Sequence, residues 1–70
     1  MRVGEKIRRL REKRGWTQRD LVVAMGEEDR AVNMARQISV WENGHGGRSP
    51  NIESLKRLAE AFEVSVEELL

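Results

Sequence analysis

The run Asn33-Met34-Ala35-Arg36-Gln37-Ile38-Ser39-Val40-Trp41-Glu42-Asn43-Gly44 decides how this chain is read. Taken as a helix, it sets Met34, Ile38 and Trp41 at i, i+4 and i+7, one apolar stripe that needs a core. Arg36, Val40 and Asn43 fall on the opposite side, with Ser39 beside them. That outer side offers a forked guanidinium, two amides (Gln37 and Asn43), a small hydroxyl and a β-branched methyl pair. Base edges in the major groove present acceptors, donors and the thymine methyl, which these side chains complement. Asn33 is the residue type of an N-cap, and Gly44 that of the residue just past a helix end. The stretch is expected to be a DNA-reading helix.

Upstream, Met1 to Gly4 reads as a short leader, followed by a first helix over Glu5 to Arg14. Its apolar positions Val3, Ile7 and Leu10 again stand at i, i+4 and i+7, and Gly15 closes it. Thr17-Gln18-Arg19-Asp20 has the form of a capping box, with Asp at the third position. Helix two then runs to about Met25, burying Leu21 and Ala24, with Trp16 as a hydrophobic staple and Gly26 as its stop. Glu27 to Val32 is the least regular piece. Its acids could open a longer third helix, since anions suit a helix N-terminus, and this would place Ala31 on the Met34 stripe. Those acids would then face phosphate, so a loop leading to a cap at Asn33 is the expectation. Downstream, Asn51 caps a fourth helix with Ile52, Leu55, Leu58, Ala59 and Phe62 on one face. Ser65-Val66-Glu67-Glu68 is a second capping box, opening a last short helix that ends at Leu69-Leu70. No strand-like alternation occurs, so the expected class is all-α with five short helices.

Seventy residues provide one small core, and a single domain over 1–70 is expected. The chain has no cysteine, which excludes disulfides and thiolate metal sites and fits a reducing compartment. It has no long apolar run either, so neither a membrane span nor a signal peptide is expected. The net charge is only +1, but it is unevenly spread. Residues 1–20 hold eight Lys/Arg against three Asp/Glu, while residues 21–70 hold five against nine. A basic end facing a polyanion and an acidic end facing away would produce this pattern.

Thr17-Gln18, Leu21, Gly26, the run Ile38 to Gly44, Pro50 and the run Val64 to Leu70 occur together and in order. The set resembles the Cro/phage-repressor (XRE-type) helix-turn-helix family, from Ile7 to Leu70. The resemblance implies a lambda-repressor-like fold in which helix two lies across the DNA backbone and helix three enters the major groove. It implies base-facing roles for Ala35, Arg36, Gln37, Ser39 and Val40. It implies phosphate contacts from Gln18, at the start of helix two beside the Thr17 cap, and from Asn43 and the loop holding Arg48. It also implies a buried ion pair between Arg11 and Glu42. Residues 27–32 depart from the family as an insertion within the turn itself. Double-stranded DNA is the expected partner, in a prokaryotic or phage cytoplasm and associated with the nucleoid when bound, with no cofactor, metal or membrane. One reading helix covers few base pairs, so a homodimer is expected at least on DNA. Val64, Val66, Leu69 and Leu70 around the last helix are its expected contacts.

Other functions find less support in the residues. His45 stands alone in a glycine-rich loop, with no second ligand at a metal-binding spacing. Glu27-Glu28-Asp29 is expected to remain solvated, and Trp16, Met34 and Trp41 to pack in the core. Gln37 lies nearer the stripe than Arg36 and could instead close the helix start. No nucleophile with an adjacent base and no phosphate-cradling glycine motif appears, so an enzyme is not expected. The competing class is a protein-interaction module of the antitoxin type, carried by acidic residues 53–70 and Leu69-Leu70. RNA binding ranks third, for want of an aromatic stacking platform.

Overall fold

The computed structural model describes residues 3–44 and 49–70. Helix α1 spans Val3–Lys13, so Val3 and Gly4 belong to the helix rather than to a leader. The cause is packing: Val3 lies against the core, and Gly4 is buried beneath the Trp41 carbonyl, where a Cβ would overlap it. Helix α2 spans Gln18–Ala24. Thr17 Oγ1 accepts from the Asp20 amide at 3.0 Å, and the Thr17 amide donates to the Asp20 carboxylate at 2.9 Å, completing the capping box. The buried face of α2 is Leu21 and Val22, continued by Met25. Ala24, expected inside, turns outward because it falls about a quarter turn away from that face.

The segment expected as a loop is instead a 3₁₀ turn over Glu28–Arg30 that runs directly into α3, Ala31–Asn43. Asn33 is therefore not a cap but an exposed residue within the first turn of α3, and Ala31 packs against the core. Packing of Ala31 on the Met34 stripe favours starting the helix three residues early, with Arg30 rather than Asn33 at its cap position. Helix α4 spans Ile52–Phe62, with Asn51 Oδ1 accepting from the Ser54 amide at 2.8 Å. Leu55, Leu58, Ala59 and Phe62 are buried, but Ile52, at the edge of the stripe in the first turn, remains 58% exposed. The helix ends on Glu63 with φ 58°, a left-handed conformation that costs a non-glycine residue about 1–2 kcal/mol.

The expected fifth helix is only a 3₁₀ turn, Val66–Glu68, and Ser65 makes no side-chain cap bond there. The Glu68 amide bonds the Ser65 carbonyl and the Leu69 amide that of Val66, and this tight turn drops Leu69 into the core. Among the described residues four α-helices, not five, make the fold, and there is no strand. Helix α3 packs chiefly on α1 and α2, while α4 and the last turn close the other side. Ile7, Leu21, Val22, Ile38, Leu58, Phe62 and Leu69 are fully buried at the centre. Arg14 lies over the stacked rings of Trp16 and Phe62 and donates to the Phe62 carbonyl, fastening the α1–α2 turn to the end of α4. No helix among the described residues is long and apolar enough to cross a membrane.

Candidate nucleic-acid interface

Helix α3 is fixed from below by its stripe. Met34, Ile38 and Trp41 are buried, and Gly44 ends the helix with φ 67°, which a glycine adopts without steric cost. With that face committed, Arg36, Gln37 and Asn43 are exposed, while Ser39 and Val40 are half-buried. Ala35 is half-buried and packs against the core, so only part of its methyl faces outward. The Asn43 amide turns back along its own helix, donating to the Ser39 carbonyl at 2.9 Å and to Ser39 Oγ at 3.2 Å. Its carbonyl oxygen, an acceptor, is what remains; donation to a phosphate would require that local pair to open.

Glu42 lies on the inner side and is 8% exposed. Arg11 of α1 donates to it through two nitrogens, Nε at 2.7 Å and an Nη at 3.0 Å. The other Nη of Arg11 donates to the Trp16 carbonyl at 2.7 Å. Gln18 Nε2 reaches the same carboxylate at 3.3 Å. One buried carboxylate thus joins α1, the turn after it, the start of α2 and the end of α3. The two-toothed hydrogen bond to Glu42 holds the Arg11 guanidinium above its ordinary pKa, against burial, which alone would lower it. The Gln18 side chain is drawn inward by this bond, and the Thr17 hydroxyl is occupied by its cap, so the first turn of α2 is braced before any ligand arrives. Arg48 and His45 lie outside the described residues.

The acidic run is not simply solvated. Glu28 and Asp29 are exposed, but Glu27 is 8% exposed and bonds Arg57 of α4 at 2.5 Å and Arg30 at 3.3 Å. Its amide also donates to the Val22 carbonyl at 3.1 Å, so this turn is tied to both α2 and α4. Nothing in the sequence separates Glu27 from its two acidic neighbours; only the docking of α4 singles it out. Between this turn, α3 and the start of α4 runs an open groove lined by Asn33, Gln37, Asn51 and Arg57. A second open groove, between α1 and the end of α3, is lined by Arg8, Arg9 and Lys13, by Glu5 and Glu12, and by Asn43. At the C-terminal end, Leu69 is fully buried within the chain's own core, which removes it from any outer surface. Val64 and Val66 are half-buried against that core, and Leu70 is 59% exposed.

Comparison with known proteins follows the same lines. A sequence model of the helix-turn-helix family matches residues 7–69. A competence pilus inhibition repressor of Acinetobacter baylyi is 39% identical over 69 residues, covering 99% of this chain and 56% of that protein. The chain therefore spans little more than half the length of this curated relative. No solved structure matches this chain significantly. With four helices arranged so that α3 shows a polar outer face beside a braced α2, and with the family pattern covering nearly the whole length, the chain belongs to the helix-turn-helix family.

Proposed function

We propose that the chain is a single sequence-specific DNA-binding domain of a transcriptional regulator, a repressor, which lays α3 in the major groove of double-stranded DNA. The observation that carries this is the outer face of α3. Arg36, Gln37, Val40 and Asn43 project from a helix whose other side is locked by Met34, Ile38, Trp41 and the Glu42 network. A rigid helix with donors, acceptors and a methyl pair on its free side suits the major groove. Arg36 forks onto a guanine edge, Val40 meets a thymine methyl, and Ala35, Gln37 and Ser39 flank them. The start of α2, at Thr17 and Gln18, meets a phosphate on one side; Asn43, its bond to Ser39 opened, and the loop with Arg48 meet the backbone on the other. The repressor relative supports regulation by repression, and a binding role of this kind involves no enzymatic step. The setting is the cytoplasm.

Selection of bound sites from random duplexes tests the proposal. Arg36→Ala should cost about 1–3 kcal/mol of binding and relax preference at one base position, while Gln18→Ala weakens all duplexes alike. Affinity should fall steeply with salt, with a log–log slope near about −0.9 per phosphate contact. A chain that enriched no site, or bound a protein partner with little salt dependence, would instead be an interaction module.

A further inference from the structure

We propose that the inserted turn extends the reading helix and makes Asn33 a further base-reading residue. This rests on the DNA-reading role of α3 proposed above. Helix α3 begins at Ala31, and Asn33 is exposed within its first turn. Residues three, four and seven positions apart share one helix face, so Asn33 lies in line with Arg36, Gln37 and Val40. All three of those are on the outward side. Relative to the buried stripe, Asn33 points further outward than Gln37 does, being about 50° from the direction opposite the core against about 90°. Asn33 is about 4.5 Å along the axis from Arg36, and about 10 Å from Val40. The added residue therefore reads about one base pair beyond the one taken by Arg36.

The chemistry of the position is specific. An asparagine amide on a reading helix donates and accepts at once and pairs with the N7 and N6 of adenine. A long, mobile side chain in a frayed first turn would gain little from this. Here the turn is held from behind: Glu27, buried, bridges Arg30 beside the helix start and Arg57 of α4. That bridge also neutralises one of three consecutive acids at the end nearest the DNA. Glu28 and Asp29 stay exposed there and repel phosphate, a cost that the base contact of Asn33 must outweigh.

The test is site selection from random duplexes with the unmodified chain, Asn33→Ala and Arg36→Ala in parallel. Alanine suits a helix better than asparagine, and the residue is exposed, so Asn33→Ala should fold unimpaired. The expected result is a site whose adenine preference next to the Arg36 position disappears in Asn33→Ala, with affinity for the selected duplex down roughly tenfold or more. Arg36→Ala should lose the neighbouring position and keep that adenine. If Asn33→Ala selects the same site with unchanged affinity while Arg36→Ala alters it, the inference is overturned and α3 still reads DNA. If the unmodified chain selects no site, both fall together.

Discussion

At Glu42 three side-chain donors, two from Arg11 and one from Gln18, converge on a carboxylate whose side chain is 3% exposed. Pairing lets the charge stay buried; removal of a partner leaves it uncompensated, which costs far more than the pair contributes. Arg11→Ala should destabilise the fold by about 3–5 kcal/mol in chemical denaturation. It should do so more than a substitution at the exposed pair Arg8–Glu12, where water screens both groups. A denaturation midpoint unmoved by Arg11→Ala would show that the guanidinium has no structural weight. The sign of the pH effect follows from the direction of its pKa. A cation raised in the folded state contributes throughout the range below its unfolded value, and loses that contribution only as pH climbs through the folded one. Alkaline titration through the ordinary range should therefore leave this link intact.

At the level of elements, the crossing of α1 over α3 is set by the smallest residue available. Gly4 lets the α1 backbone approach the Trp41 carbonyl directly, so Gly4→Ala forces the helices apart. A loss of about 1–3 kcal/mol in thermal or denaturant stability is expected, although alanine is the better helix former. An unchanged or raised midpoint would mean that the crossing has slack. The elements also show where sequence reasoning succeeds. Periodicity exposed the stripe of α3 because Met34, Ile38 and Trp41 obey helical spacing, and the caps at Thr17 and Asn51 were legible because they are local chemistry. Gly4 gave no such sign, since a close approach depends on a residue 37 positions away. The start of α3 is not legible in the sequence, because an acid run is a poor neighbour for phosphate while tertiary pairing of Glu27 with Arg57 governs that segment. The outward residues of α3 could be named in advance; the inward turn of Gln18 and the back-bond of Asn43 could not, as both depend on neighbours that folding supplies.

For the whole molecule the open matter is how two-fold DNA sites would be met. A single reading helix covers too few base pairs for a unique site, and paired reading helices of this kind stand about 34 Å apart on successive turns of the groove. We propose a homodimer on DNA, with Val64, Val66 and Leu70 contributing and Leu69 withdrawn into the core. Sedimentation with the selected duplex should give a two-to-one complex on a palindrome, and Leu70→Glu should shift it toward one-to-one. A one-to-one complex of the unmodified chain on a non-palindromic site would overturn this.

The Glu27–Arg57 bond has a consequence for how the molecule comes into being. It joins residues 30 positions apart, so the entropy of closing that length of chain must be met before the inserted turn is held. The contacts of α1 and α2 with α3 precede it in chain order. Contacts among the first three helices can therefore form before the start of α3 is held. Leu58, Phe62 and Leu69 of the core stand beyond Arg57 in the chain, so the start of α3 and the core that supports it both reach their final geometry only when the ribosome has released the end of α4 and the turn after it.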